Sequence, residues 1–374
     1  MVAKGKSKKA LIRRIRVNLG KRSYPILIGS GILNQIGSEL AKLPIGKKIG
    51  IITNPTVGQY YAPPVKSALE QAGFHPYLYS IPDGESYKNL DIVRDLYYRL
   101  IDDEFDRTGS ILALGGGVIG DLAGFIAATY LRGIPFIQVP TTLLAQVDSS
   151  VGGKVGVNLA VGKNLIGSFY QPKLVIIDPD VLKTLPAREL RAGLAEVVKY
   201  GIIYDISFFN YLEKNIDHIL NLERAYITDI IARSCEIKAM VVSQDETEQG
   251  LRAILNYGHT LGHAIETLTK YEQYRHGEAV AIGMVAAGKL GVNLSLFNAK
   301  NLRRLTALLT QIGLPTSIPD LDLSRFLDTI YRDKKVQNRT LRMVIPTKIG
   351  QVKLVKDISI AILQKTIKSL IRKK

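Results

Sequence analysis

Residues 110–140, "SILALGGGVIGDLAGFIAATYLRGIPFIQVP", indicate the fold of the first half of this chain. An apolar run ends in three glycines, a helical pattern follows, and the apolar run "IPFIQVP" closes the stretch, which predicts a strand, a helix and a strand. The same alternation precedes it: we predict strands in "IRVNLGKRSYPILIG", "KKIGIITNP" and "HPYLYSIP", and helices in "PPVKSALEQAGF", which begins at Pro63, and "YKNLDIVRDLYYRLIDDEF". Because such alternation is typical of a parallel sheet covered by helices, we predict an α/β N-terminal Rossmann-like domain with a parallel sheet.

The second half of the chain has a helical pattern. Helical spacing persists in "PARELRAGLAEVVKYGII", "YITDIIARSCEIKAMVVSQDE", "TLGHAIETL" and "EAVAIGMVAAGKLGVNL", and "LRMVIPTKIGQVKLV" predicts one small hairpin. Two prolines interrupt the chain in "DPDVLKTLP", residues 178–186. We therefore predict a basic tail over 1–16, an α/β domain over 17–182 and a mostly α-helical C-terminal domain over 183–374.

Length and composition favour a globular protein. At 374 residues with 46% hydrophobic residues, the chain can form two domains. No apolar run approaches the roughly 18 residues of a membrane helix, so we expect no membrane partner. The single cysteine, Cys235, cannot close an intramolecular disulfide, which favours a reducing, cytoplasmic location.

The net charge of +17 comes largely from the two ends of the chain. The basic residues there are Lys4, Lys6, Lys8, Lys9, Arg13, Arg14, Arg16, Lys365, Lys368, Arg372, Lys373 and Lys374. They form either solvated tails or an arm that binds nucleic acid. We favour solvated tails because no aromatic residues are interleaved for base stacking. The mild basic surplus of the remaining chain suits a small anionic substrate.

A glycine-rich turn follows the strand "SILALG". Gly115, Gly117 and Gly120 have the spacing of a dinucleotide-binding turn, in which backbone N–H groups at a helix N-terminus approach a pyrophosphate. The acidic residue expected after the next strand is missing, since Thr141 and Thr142 follow "FIQVP". A tight turn with a purely structural role therefore remains an alternative.

A polar, glycine-rich stretch lies downstream, "VDSSVGGKVGVNLAVGKNLIGSF", residues 147–169. It contains too few large apolar residues for a core element, so we predict a loop. Long loops in compact domains are usually functional. Its polar side chains predict an anion-binding surface formed by Asp148, Lys154, Asn158, Lys163 and Asn164.

Three of the five histidines lie within residues 259–276. His259 and His263 are four residues apart on one helix face, where two imidazoles can share a divalent ion with His276 and a carboxylate. Spacing alone does not choose the carboxylate among Glu196, Glu266 and Glu278. Glu196 and Lys199 form either an exposed helical ion pair or, if buried, a pair that needs a metal or a ligand.

Seven motifs together resemble the 3-dehydroquinate synthase family, over essentially the whole chain after the basic tail. They are "DGESYKN", "GGGVIGDLAGFIAATYLRGIPFIQVPTTLLAQVDSSVGGKVGVN", "GKNLIGSFYQP", "LKTLP", "GLAEVVKYG", "LNYGHTLGHAIE" and "HGEAVAIGM". The resemblance implies an NAD- and metal-dependent carbon–oxygen lyase that converts 3-deoxy-D-arabino-heptulosonate 7-phosphate to 3-dehydroquinate and phosphate in the shikimate pathway. NAD would act as oxidant and then as reductant within one turnover. We also expect a cytoplasmic homodimer.

The resemblance also implies roles for individual residues. The metal ligands would be Glu196, His259 and His276, holding Zn²⁺ or Co²⁺, while His263 would handle substrate and protons. The implied cofactor contacts are Asp83, Gly84, Glu85, Lys88, Gly116, Gly117, Asp121, Thr141, Thr142, Lys154, Lys163, Val181 and Thr184. The implied substrate contacts are Arg132, Asp148, Lys154, Asn164, Lys199, Lys238, Arg252, Asn256 and His263, with Lys334 or Lys335. The lysines and arginines among these contacts match a substrate that carries a carboxylate and a phosphate.

Two other enzyme classes remain alternatives. A related sugar phosphate cyclase would share the NAD and metal sites but close a different sugar phosphate, because a fold alone does not fix the substrate. Arg252, Asn256 and His263 match the dehydroquinate pattern and favour that substrate. A metal-dependent NAD alcohol dehydrogenase would not need the lysine-rich substrate shell.

Overall fold

The computed structural model describes residues 12–318, 321–332 and 341–371. The chain forms two compact units, which divide between Leu185 and Pro186. The first contains the chain up to Leu185 together with Ile227–Ala239, and the second contains Pro186–Tyr226 and the chain from Met240 onward. We did not predict that residues 227–239 group with the first unit. Most of the basic tail and both lysines of "DKK", Lys334 and Lys335, lie outside the described residues.

The first unit is built on a seven-stranded sheet with the order β1-β2-β9-β6-β5-β3-β4. Its strands are β1 (Arg13–Val17), β2 (Tyr24–Ile28), β3 (Lys48–Thr53), β4 (His75–Ser80), β5 (Ser110–Gly115), β6 (Phe136–Pro140) and β9 (Leu174–Ile177). Only the edge strand β1 is antiparallel to its neighbour, while all the other neighbouring strands run parallel. The predicted parallel α/β architecture is therefore confirmed.

Helices cover both faces of this sheet. They are α1 (Ile36–Leu40), α2 (Pro55–Gln71), α3 (Leu90–Asp102) and α4 (Gly117–Thr129). On one face, Val65 and Leu69 of α2 pack against Ile49 and Leu112 in one buried cluster. On the other face, side chains of α3 and α4 form a second cluster with Ile52 and Ile111. Because both faces are buried, the strands read as nearly continuous apolar runs.

The order in which the chain adds strands to the sheet reverses next to β3. Strand β3 lies between β4 and β5, so the connection from β4 to β5 crosses back over it. In open α/β sheets, ligands bind outside the carboxyl ends of the strands at such a switch point. The glycine-rich turn at the end of β5 lies at this point.

Helix α2 begins earlier than we predicted. It starts at Pro55 because the Asn54 side chain accepts a hydrogen bond from the Val57 N–H group and caps the helix. We expected the helix only from Pro63, but Pro63 and Pro64 lie inside it. They remove two helical N–H donors, and burial of the apolar side chains that follow offsets this loss.

The loop predicted over residues 147–169 is wrong. After a single π-helical turn (Ala145–Ser149), the chain forms an antiparallel hairpin of β7 (Lys154–Leu159) and β8 (Gly162–Phe169). A Cβ atom at Gly156 would lie 2.6 Å from the carbonyl oxygen of Ile166, so the glycine permits close strand pairing. Val155 and Val157 are buried in the core, although the flanking glycines resembled a loop.

The second unit is mostly helical, as predicted. Its helices are α5 (Ala187–Ile203), α6 (Ile206–Leu220), α7 (Arg224–Gln244), α8 (His259–Leu268), α9 (His276–Asn293), α10 (Ala299–Ile312), α11 (Leu323–Arg332) and α12 (Ile360–Lys368), with the middle of α7 grouped in the first unit. The predicted hairpin is confirmed as β10 (Arg342–Lys348) paired with β11 (Gln351–Lys356). Among the described parts of the chain, no helix combines the length and hydropathy needed to cross a membrane.

Candidate functional site

The turn between β5 and α4 exposes the N-terminus of a 13-residue helix. Gly116 is its N-cap residue and supplies no side-chain cap. A Cβ atom at Gly116 would lie 3.1 Å from Thr142 Cγ2, and one at Gly117 would lie 3.3 Å from Ser149 Oγ. Glycine therefore avoids side-chain crowding at this turn, and the unpaired N–H groups of such a helix N-terminus can bind a phosphate group.

The predicted cofactor residues follow the carboxyl ends of several parallel strands. Asp83 follows β4 and accepts a hydrogen bond from the Thr56 hydroxyl at 2.7 Å. Thr141 follows β6, and its buried hydroxyl has no hydrogen-bond partner within the described ranges. Thr184 follows β9 and lies 2.6 Å from the Tyr61 hydroxyl. Because parallel strands end at one edge of a sheet, these residues lie along the same edge as the glycine turn.

Lys88, Asp121 and Asn164 form a compact polar cluster. The Lys88 Nζ atom donates to Asp121 Oδ2 at 2.5 Å and to Asn164 Oδ1 at 2.6 Å, and the lysine is only 3% exposed. Burial raises the pKa of Asp121, and Lys88 opposes this effect. The Asn164 N–H group donates to Asn158, which holds Asn164 at a left-handed φ of 53°. The hairpin thus contributes to the same cluster as the start of α4.

Replacing Lys88 with methionine should destabilise the protein by about 2 kcal/mol near neutral pH. The substitution leaves the Asp121 carboxylate without its cation, although 23% of that side chain stays exposed to water. Because burial raises the pKa of Asp121, the stability of the variant should be greater in acid and fall as pH rises. Thermal unfolding of the Lys88→Met variant at two pH values measures this. A second change, Asp121→Asn, should restore most of the loss, and an equal loss at both pH values would contradict the explanation.

The remaining cationic residues that we predicted as cofactor or substrate contacts in the first unit differ in their partners and exposure. Lys238 lies in the part of α7 that groups with this unit, and its Nζ atom donates to the carbonyl oxygen and to Oδ1 of Asp148, both at 2.6 Å. Lys163 Nζ lies 3.7 Å from Glu85 Oε1. Lys154 begins β7. Arg132 is exposed in the turn after α4 at a left-handed φ of 66°, and no ion pair joins it to another described residue.

In the second unit, the three predicted metal ligands lie close together. Glu196 of α5 is fully buried, and its Oε1 atom lies 3.6 Å from His259 Nε2 and 3.8 Å from His276 Nε2. Its Oε2 atom forms an ion pair with Lys199 Nζ, and no described residue donates a hydrogen bond to its Oε1 atom. The pair is therefore buried, and the exposed helical ion pair considered from the sequence is excluded.

Both histidines direct Nε2 toward Glu196. His259 Nδ1 lies 3.1 Å from the carbonyl oxygen of Tyr257, and His276 Nδ1 lies 3.3 Å from Glu266 Oε2. A carbonyl oxygen only accepts hydrogen bonds, so Nδ1 of His259 carries the proton and the lone pair of the neutral ring lies on Nε2. An acid and two such imidazoles form a donor set typical of zinc or cobalt sites.

Close backbone contacts hold the helices that carry these residues. A Cβ atom at Gly277 would lie 1.9 Å from the carbonyl oxygen of Ala192, where α9 meets α5. A Cβ atom at Gly283 would lie 1.9 Å from the carbonyl oxygen of Gly258, where α9 meets α8. Only glycine allows these approaches, and they fix the positions from which His259, His276 and Glu196 converge.

The structure distinguishes the three carboxylates that spacing left open. Glu196 lies with the two histidines, whereas Glu266 contacts the far side of the His276 ring. Glu278 accepts two hydrogen bonds from Arg188. It also accepts one from the backbone N–H group of Arg275, and this bond caps the start of α9. A second cluster of potential ligands, His263, Glu266 and His276, shares His276 with the first.

Two predicted substrate residues lie in or near the turn before α8. Arg252 is almost fully buried and donates to the carbonyl oxygen of Glu246 at 2.5 Å. Asn256 Nδ2 donates to Glu248 Oε1 at 2.6 Å. Asp245 accepts hydrogen bonds from three backbone N–H groups of this turn, including that of Arg252. We did not predict the role of Asp245 in organising the turn, because its partners are backbone groups that spacing does not reveal.

Comparison with known proteins identifies the family. Models described as 3-dehydroquinate synthase N-terminal and 3-dehydroquinate synthase C-terminal match residues 78–192 and 193–336. A 3-dehydroquinate synthase from Desulforamulus reducens is 53% identical over 345 residues, which cover 92% of this chain and 96% of that relative. The chain belongs to the 3-dehydroquinate synthase family. The resemblance predicted from the seven motifs is therefore confirmed.

Two solved structures of sugar phosphate cyclases share the fold of this 3-dehydroquinate synthase family member. One is 2-epi-5-epi-valiolone synthase from Streptomyces hygroscopicus with NAD⁺ and Zn²⁺ bound, at a TM-score of 0.87 and 26% identity, covering 94% of this chain and 98% of that chain. The other is 2-deoxy-scyllo-inosose synthase complexed with carbaglucose-6-phosphate, NAD⁺ and Co²⁺, at a TM-score of 0.84 and 27% identity, covering 96% and 99%.

Proposed function

We propose that this protein is a 3-dehydroquinate synthase, a carbon–oxygen lyase that converts 3-deoxy-D-arabino-heptulosonate 7-phosphate to 3-dehydroquinate and phosphate. The 53% identity to a named 3-dehydroquinate synthase over nearly the whole chain carries the proposal. The solved cyclases with other names are only 26% and 27% identical, so the alternative of a different cyclase has weaker support. The convergence of Glu196, His259 and His276 supports a metal-dependent mechanism.

The first unit has features that suit NAD. The N–H groups at the start of α4 would bind the pyrophosphate, and the Thr141 hydroxyl, which has no hydrogen-bond partner among the described residues, is available to a ligand. The other proposed contacts are Asp83, Gly84, Glu85, Lys88, Gly116, Gly117, Asp121, Thr142, Lys154, Lys163, Val181 and Thr184. Held by these residues, NAD would supply reversible hydride transfer without net redox change over a turnover. Oxidation of the substrate alcohol to a ketone would acidify the neighbouring C–H bond and so permit phosphate elimination.

The second unit has features that suit a divalent cation. A buried carboxylate oxygen without a hydrogen-bond donor is costly, and a cation held by Glu196, His259 and His276 would satisfy it. Three protein ligands leave positions open for substrate, as in catalytic zinc sites. A bound Zn²⁺ or Co²⁺ would polarise substrate hydroxyl groups as a Lewis acid. Lys199 would hold the second Glu196 oxygen and so fix the orientation of the carboxylate.

Cationic and polar side chains would bind the remaining groups of the substrate. We propose Lys154, Lys238 and Arg252 as partners of its carboxylate and phosphate, because Lys and Arg form strong charge-assisted hydrogen bonds with anions. His263 would handle protons close to the metal ligands, since its ring centroid lies 5.4 Å from that of His259. The other proposed substrate contacts are Arg132, Asp148, Asn164, Lys199 and Asn256, with Lys334 or Lys335.

A phosphate-release assay tests this function. The purified protein should release phosphate from 3-deoxy-D-arabino-heptulosonate 7-phosphate, lose the activity with a chelator or without NAD, and accumulate no NADH. Sedoheptulose 7-phosphate serves as the competing substrate. Faster phosphate release from that sugar would favour another cyclase, and net NADH formation from a simple polyol would favour an alcohol dehydrogenase.

We further propose a cytoplasmic location. Cys235 is buried in α7, and burial raises the pKa of its thiol to about 12, so the only cysteine of the chain is unsuited to disulfide formation.

We also propose a homodimer. Light scattering during size-exclusion chromatography measures the mass in solution, and a mass of one chain at working concentration would exclude the dimer.

A further inference from the structure

We propose that Glu266 is a positioning residue that fixes the ring of His276 and strengthens metal binding at Glu196, His259 and His276. The inference rests on the proposed metal site. Glu266 lies near the end of α8 and is only 6% exposed. Its two carboxylate oxygens lie 3.3 and 3.4 Å from His276 Nδ1. This contact is on the side of the ring opposite Nε2, which lies 3.8 Å from Glu196 Oε1.

The two histidines differ in how their rings are held. His259 is nearly buried, and its Nδ1 atom is paired with a neutral carbonyl group. His276 is the first residue of α9, and 31% of its side chain is exposed. An exposed ring at the start of a helix is free to choose other rotamers unless a partner orients it. Glu266 supplies that partner and is a carboxylate, which forms the stronger type of hydrogen bond.

The contact with Glu266 also determines which ring nitrogen of His276 is available to bind a metal. A carboxylate accepts a hydrogen bond from the Nδ1–H group of His276, so the lone pair of the neutral ring lies on Nε2 and points toward Glu196. A hydrogen-bonded carboxylate further increases the basicity of the ligating nitrogen. Loss of such a partner typically weakens metal affinity about 10- to 100-fold. Glu266 therefore acts through His276 and need not touch substrate or metal.

His263, Glu266 and His276 could instead bind a cation of their own, since their donor atoms also cluster. The two clusters compete, because both require the His276 ring. The first is favoured because Glu196 is fully buried and its Oε1 atom lacks a hydrogen-bond donor within the described residues. The proposal therefore predicts one ion per chain.

Titration of the metal-free protein with Co²⁺, followed by its visible absorption, tests the proposal. The Glu266→Gln variant keeps the side-chain shape but loses the charge, and its affinity should fall about 10- to 100-fold with a shifted Co²⁺ spectrum. The Glu272→Gln variant, at an exposed position just after α8, is the matched control and should bind as the wild type does. The melting temperature of metal-free Glu266→Gln should match that of the wild type, which separates orientation of the ring from general damage.

Three results would overturn the proposal. They are a Glu266→Gln affinity within about twofold of the wild type, an equal loss in Glu272→Gln, or two ions bound per wild-type chain with one lost on substitution. The readout is independent of catalysis. Failure of the proposed function would appear instead as Co²⁺ binding without phosphate release from the heptulosonate.

Discussion

The Glu196→Gln variant is expected to lose its divalent cation and to release phosphate at least about a thousandfold more slowly than the wild type. One carboxylate oxygen of Glu196 lies within 4 Å of Nε2 of both His259 and His276. A neutral amide is a poor ligand beside two imidazoles, because the site then lacks the anionic oxygen that balances part of the cation charge. Metal content after dialysis and phosphate release from the heptulosonate measure the two effects.

The same substitution has a second expected effect, on folding. Lys199 is 1% exposed, and its ammonium group loses its carboxylate partner in Glu196→Gln. Removing one partner of a buried ion pair costs about 3 to 5 kcal/mol, so the metal-free variant should unfold at a lower temperature. The double variant Glu196→Gln/Lys199→Met removes that charge and should recover most of the stability but none of the metal binding.

These two measurements separate a ligand from a structural residue. If the double variant regained both stability and metal, Glu196 would hold Lys199 rather than the cation. If Glu196→Gln retained full metal content and activity, the proposed centre would be wrong. The exposed Glu272→Gln substitution serves again as the control and should change neither property.

The elements around the glycine turn could be predicted because their signals are local. Strand β5, helix α4 and strand β6 follow from apolar runs and three glycines within one stretch of sequence. The hairpin of β7 and β8 was missed for the opposite reason. Gly156 and Gly167 were taken as signs of a loop, but they allow two strands to approach closely, and that contact depends on a partner strand.

The candidate metal site likewise combines features that local sequence predicts with features that depend on tertiary packing. Spacing placed His259 and His263 on one helix face, but it could not rank Glu196, Glu266 and Glu278. Their distinct partners depend on how α5, α8 and α9 pack. That packing is set by contacts such as those at Gly277 and Gly283, which join residues far apart in the chain.

The Gly277→Ala variant tests that dependence and should be destabilised by about 3 kcal/mol or more. The added methyl group would lie 1.9 Å from the carbonyl oxygen of Ala192, so α9 must move away from α5. His276 directly precedes this glycine, and its displacement from Glu196 should weaken Co²⁺ binding along with stability. Thermal unfolding of the metal-free protein and Co²⁺ titration measure both.

The matched control is Gly58→Ala in α2, where the added methyl group would lie 3.2 Å from the end of the Thr53 side chain. That contact can relax, and alanine is the better helix former, so the stability of this variant should change by less than about 1 kcal/mol. Metal binding should be unchanged, because Gly58 lies in the first unit and all three proposed ligands lie in the second. If Gly277→Ala instead bound Co²⁺ and unfolded as the wild type does, the contact between α9 and α5 would not set the position of His276. The convergence of the triad would then depend on the side-chain partners of the histidines, Glu266 and the Tyr257 carbonyl group, rather than on helix packing.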